Sequence, residues 1–77
     1  MANKFYKVFH KKFGQRVREL RKAKGLTQEQ LSLEIDTDNS YISNIENARY
    51  DIPLSRVRLI AKALQVDMRE FFNFKQY

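Results

Sequence analysis

TQEQLSLEIDTDNSYISNIE, residues 27–46, decides the fold of this chain. Thr27 stands three residues before Gln30, the T-x-x-Q spacing of a capping box, in which two side chains satisfy free backbone N–H groups at a helix start. Leu31 and Ile35 fall four apart, on one helix face. Asp36 and Thr37 interrupt that pattern. Asp38 is placed to cap a second helix, whose apolar Ile42 and Ile45 are three apart. The expectation is two short helices, residues 27–35 and 38–47, joined by a tight corner. Asn39, Ser40, Tyr41, Ser43 and Asn44 are left as a polar face with no buried purpose. A short helix turning amides and hydroxyls outward carries the donors and acceptors that read base edges in a DNA major groove.

Helical spacing continues on both sides. Upstream, Phe5, Phe9, Phe13, Val17 and Leu20 form one amphipathic stripe. The first helix runs to Lys24 from either Lys4 or Phe13. Gly14 costs about 1 kcal/mol in mid-helix relative to Ala, which favours a start near it. Gly25 follows the basic Lys22 and Lys24 as a glycine follows a helix end. Downstream, residues 48–53 connect to a fourth helix, residues 54–64, with Val57, Ile60, Ala61 and Leu64 inward. Asp67 caps a short fifth helix containing Met68, Phe71 and Phe72. Period-two alternation is absent, so the chain reads as all-α. The expected core is Leu20, Leu26, Leu31, Ile35, Ile42, Ile45, Val57, Ile60 and Leu64.

Size and charge narrow the function. Seventy-seven residues make one domain, which buries only about 60–65% of its unfolded surface and leaves little room for a large cofactor. Without cysteine, disulfides and thiolate metal sites are unavailable, a composition that fits a reducing cytoplasm. No apolar run reaches the ~18 residues of a membrane span, and no secretory h-region is present. His10 is the single histidine and has no partner ligands in the pattern, so no metal, cofactor or catalytic centre is expected. The net charge of +6 is unevenly spread. Residues 1–24 carry nine Lys or Arg and one acid; residues 25–48 carry no base and five acids; residues 49–77 carry six bases and three acids. A basic field favours a polyanion through counterion release. Here the proposed reading segment is itself acidic, so phosphate contacts fall to its flanks and to helix N-termini.

RELRKAKGLTQEQL (18–31), YISNIENAR (41–49) and LIAKALQVDMREFF (59–72), in this order and spacing, resemble the Cro/repressor-type (Xre-like) helix-turn-helix family over residues 13–72. Within it, SYIS followed by IE looks most like restriction–modification controller proteins. The resemblance implies a five-helix, lambda-repressor-like DNA-binding domain preceded by a basic aromatic extension of the first helix (1–12), the domain spanning 13–74 and its helix-turn-helix 27–47. It implies a third helix in the major groove. Gln28, Arg49 and Tyr50 would meet phosphates, and Asn39, Ser40, Tyr41, Ser43 and Asn44 would face base edges or adjacent phosphates. An internal ion pair would join Arg21 to Glu46. Where the family often has Gly at the corner, this chain has Asp36, which tolerates a left-handed conformation. Ser32 replaces the usual Ala, and Ala48 the usual Gly.

The asparagine amides match adenine, and no Arg or Lys on this helix reads guanine, so a site with A·T contacts at its core is expected. One recognition helix covers only a few base pairs, so a symmetric dimer on a palindromic operator is expected. Leu59, Val66, Met68, Phe71, Phe72 and Phe74 form the candidate dimer interface, exceeding what so short a fifth helix needs for its own core. Phe5, Tyr6 and Phe9 are expected to extend the first helix and pack on the fifth; a membrane-surface helix or an arm on DNA fits the same residues. The function implied is a cytoplasmic, bacterial or phage-encoded transcriptional regulator, autoregulatory, with double-stranded DNA, itself and RNA polymerase as partners. An antitoxin that also binds a toxin, or a protein-interaction module on the same fold, fits the same pattern.

Overall fold

The computed structural model describes residues 4–74, with side chains described from Lys7 onward. Four α-helices, α1 (Lys4–Ala23), α2 (Gln28–Glu34), α3 (Tyr41–Glu46) and α4 (Leu54–Leu64), are followed by a 3-10 helix (Met68–Phe72). Among the described residues there is no strand. The fifth element therefore differs from the α-helix expected. Asp67 caps it by accepting the N–H of Arg69, and the bonds from Glu70 N to Asp67 O and from Asn73 N to Glu70 O span three residues each. The Arg69 guanidinium beside Asp67 also holds that carboxyl below its ordinary range.

Each α-helix ends in the same way. Leu26 N donates to Arg21 O, Thr37 N to Ser32 O, Arg49 N to Asn44 O and Val66 N to Ala61 O, and in each case the preceding residue closes a second bond to the carbonyl three residues before it. This is the Schellman arrangement, which needs a left-handed residue just past the helix. Gly25 supplies it at φ +73, and Asp36, Ala48 and Gln65 supply it at φ 61, 58 and 59. The left-handed corner at Asp36 redirects the chain from α2 towards α3. Thr37 Oγ1 adds a bond to Ser32 O.

Gly14 lies within α1 and does not start it, contrary to the boundary its low helix propensity suggests. A Cβ built there would stand 2.7 Å from the backbone oxygens of both Ile45 and Glu46. Glycine is required because the C-terminal turn of α3 lies directly against α1.

Phe13, Val17, Leu31, Ile35, Ile42, Ile45, Val57, Ile60, Ala61, Leu64 and Phe71 form the core. Leu20 and Leu26, expected inside it, are half-buried and pack against its edge. Phe71 corrects the interface expectation. It is 0% exposed, with its ring edge-on to Phe13 at 5.7 Å, so it is unavailable to a partner; burying such a ring stabilises the fold by about 1.5–3 kcal/mol. Val66 and Met68 also lean on the core. Leu59 and Phe72 remain 42% and 40% exposed.

The first turns of α1 pack on the C-terminal aromatics. Phe9 stacks on Phe72 with ring centroids 6.2 Å apart and meets Phe74 edge-on at 6.0 Å. The side chains of Phe5 and Tyr6, expected on the same surface, lie outside the described residues.

Candidate nucleic-acid interface

α3 begins later than the sequence pattern suggests, at Tyr41 rather than Asp38. Asp38 Oδ1 accepts from both the backbone N–H and the hydroxyl of Ser40, and Tyr41 N donates to Asp38 O. Asp38 thus organises the turn before the helix. The direct cap comes from α2: Ser32, fully buried, accepts the Ile42 N–H at its Oγ, 3.2 Å away. Ser32 is small enough for two helices to approach and polar enough to satisfy an N–H that would otherwise be buried unpaired.

Below α3 lies a buried ion pair. Arg21 donates from Nε to Glu46 Oε2 at 2.6 Å and from Nη2 to Oε1 at 3.1 Å, with side chains 8% and 2% exposed. Arg21 Nη1 also donates to Leu26 O, and Gln28 Nε2 donates to Glu46 Oε1 at 2.9 Å. A fork of this geometry fixes orientation as well as position. It ties the end of α1, the start of α2 and the end of α3 into one unit. Gln28, expected at a phosphate, uses one amide N–H inside this unit; an amide nitrogen carries two.

The outward side of α3 and its preceding turn carries Asn39 and Ser40, both exposed, and Ser43 and Asn44, both half-buried. Asn44 is engaged at both ends of its amide. Its Oδ1 accepts from Arg49 Nη1 at 3.2 Å, and its Nδ2 donates to the Tyr50 hydroxyl at 3.1 Å. Tyr41 is turned towards α4, not away from the domain. Its ring lies 5.7 Å from that of Tyr50, and the Arg56 guanidinium sits over it at 5.4 Å. Burial pushes the Tyr41 phenol above its ordinary value, against the opposing pull of Arg56. Arg56 had no signal in the sequence: it stands fifteen positions after Tyr41, and only the packing of α4 brings them together.

The charge conflict at this segment is eased at one acid, Glu46. Of the five acids in residues 25–48, Glu46 is buried against Arg21 and Asp38 is bonded to Ser40. Arg49 brings positive charge to the end of α3 and Arg56 brings it to Tyr41 at the start, and Lys7 and Lys11 line a cleft with Arg49 and Tyr50. Among the described residues no group of acids or histidines is arranged to hold a metal, and no helix is long and apolar enough to cross a membrane.

Comparison with known proteins gives this geometry its context. A helix-turn-helix family profile matches residues 17–71. The control protein C.BamHI of Bacillus amyloliquefaciens is 38% identical over 63 residues, 80% of this chain and 78% of that protein. The control protein C.MunI of a Mycoplasma species is 35% identical over 63 residues, 80% and 85% of the two chains. The crystal structure of the restriction–modification controller protein C.AhdI from Aeromonas hydrophila superposes with a TM-score of 0.83 at 40% identity, covering 87% of this chain and 97% of that one. The chain belongs to the Xre-like helix-turn-helix family: it is a DNA-binding transcription regulator and not an enzyme.

Proposed function

We propose that this regulator binds a palindromic operator as a homodimer in the bacterial or phage cytoplasm and controls a restriction–modification system together with its own gene. The observation that carries this reading is the polar edge made by exposed Asn39 and Ser40 before α3 and half-buried Ser43 within it, set on the Arg21–Glu46–Gln28 unit. Its similarity to control proteins over four-fifths of the chain supports the choice of system. Asn39, Ser40 and Ser43 are assigned to base edges. Asn44 and Tyr41 hold the adjoining loop, so that Arg49 and Tyr50 meet the DNA backbone, and the second amide N–H of Gln28 meets a phosphate at the start of α2. The Asn39 amide matches adenine, so A·T pairs are expected at the centre of each half-site. Leu59 and Phe72, which remain exposed, are assigned to the self-association surface. Bound beside a promoter, the dimer blocks or recruits RNA polymerase.

The test is fluorescence anisotropy on the DNA immediately upstream of the gene, with random DNA as competitor. Asn39→Ala removes one bidentate contact worth about 1–3 kcal/mol, and a loss of operator preference of that size is expected. An Asn39→Ala protein that keeps wild-type preference would overturn the assignment. Analytical ultracentrifugation of wild type and Leu59→Asp tests the dimer; equal association in both would exclude that surface.

A further inference from the structure

A cleft of about 340 Å³ lies between the first turns of α1 and the loop after α3. Lys7 and Lys11 form one wall, Arg49 and Tyr50 the other, and His10 and Asp51 close the gap between them. Lys7 and Lys11 stand four apart on one side of α1 and are exposed. The helix-turn-helix match begins at residue 17, so neither lysine belongs to the part of the chain that defines the motif.

Both walls are held in place. The loop is pinned to α1 by His10 Nε2 against Asp51 Oδ1 at 3.2 Å, and to α3 by the two bonds of Asn44 to Arg49 and Tyr50. The bond to Asn44 uses one of the five N–H donors of Arg49 and leaves its charge uncompensated, because an amide is neutral. The Tyr50 hydroxyl accepts from Asn44, so its own O–H remains to donate. Among the described residues Lys7, Lys11 and Arg49 enter no ion pair. Three cations thus face one acid, Asp51, which is turned to His10.

We propose that this cleft is a phosphate site that takes a backbone phosphodiester of the bound DNA, with Lys7 and Lys11 adding to the contact assigned to Arg49 and Tyr50. The proposal rests on the reading of α3 as the groove helix, which brings this loop to the backbone. Exposed lysines hold a lone small anion weakly at physiological salt, where screening acts over about 8 Å. A polymer phosphate is held through counterion release, which those same lysines supply. The basic extension of α1 thereby lengthens the footprint beyond the helix-turn-helix without reading sequence.

The experiment measures affinity for upstream and for random DNA from about 50 to about 200 mM salt, in wild type and in the Lys7→Gln/Lys11→Gln variant. Gln preserves helix propensity, and matching thermal melts confirm an intact fold. The expected result is a log–log salt slope shallower by roughly one per lysine, weaker binding to both DNAs, and an unchanged ratio between them. An unchanged slope overturns the proposal. A second arm titrates inorganic phosphate at constant ionic strength while the backbone amides of residues 47–51 are followed by NMR. Shifts there together with an unchanged slope would mean a small-phosphate site and reject the DNA assignment; no shifts and an unchanged slope would mean no anion site. The reading of α3 fails separately: wild type would show no preference for upstream DNA, while the slope on random DNA still decides the role of the lysines.

Discussion

Replacing Gly14 with Ala sets two effects of opposite sign against each other in one methyl group. Helix propensity alone favours Ala in mid-helix by about 0.8–1.0 kcal/mol. The structure opposes it, because the new Cβ would stand 2.7 Å from two backbone oxygens, those of Ile45 and Glu46. A carbon–oxygen contact relaxes at about 3.3 Å or more, so α1 and α3 would have to part by about 0.6 Å. Backbone atoms cannot rotate away as a side chain would. Overpacking of this kind costs about 1–3 kcal/mol, which at least cancels the propensity gain and leaves a net loss of up to about 2 kcal/mol. Urea unfolding followed by circular dichroism reads the stability directly, and the melting temperature should fall by about 4–8 °C per kcal/mol in a domain this small. Operator affinity should fall too, because the displaced turn carries Glu46. Gly25→Ala is the contrasting control. It meets nothing within 4 Å but holds φ +73, so it should lose about 1–2 kcal/mol to backbone strain and leave the affinity of the folded protein intact. A Gly14→Ala protein more stable than wild type would refute the close approach.

Arg21→Met leaves the Glu46 carboxylate buried without its partner and should cost about 3–5 kcal/mol, whereas pairing it with Glu46→Leu should restore most of that loss; a urea double-mutant cycle showing no coupling would sink this. Ser32→Ala removes the acceptor for the buried Ile42 N–H and should cost about 1–3 kcal/mol, with faster amide exchange at Ile42 as its specific sign. The raised Tyr41 phenol gives a dependence on alkaline pH. The folded chain keeps that proton beyond the ordinary value of 10.0, so the contribution is fully present below about pH 10 and is lost as pH rises through the folded value. Stability should therefore decline less steeply above pH 10 in Tyr41→Phe than in wild type, and identical declines would remove Tyr41 as the cause.

The helix-turn-helix was legible because its signals are local. The Thr27–Gln30 capping box forms as the spacing requires, with both bonds made, and residues 54–64 are helical as their periodicity implies. Capping needs only neighbours in sequence, and an apolar stripe follows from 3.6 residues per turn whatever lies opposite it. The family, the all-helical class and the polar edge of α3 follow from information of that kind. Tertiary packing settled the remainder. Gly14 has the propensity of a helix boundary, but it sits in mid-helix because α3 is pressed against it. The Phe71 ring carries the same sequence signal as its exposed neighbour Phe72, and the path of the chain takes it inside. Asn44 and Asn39 carry the same sequence signal, and the fold bonds the Asn44 amide to Arg49 and Tyr50. Gln65 takes a left-handed conformation that no composition rule assigns to glutamine. For Gly14 and Phe71 the deciding partner is a residue from another element. Such contacts are set when surfaces meet in three dimensions, and no spacing along the chain encodes them.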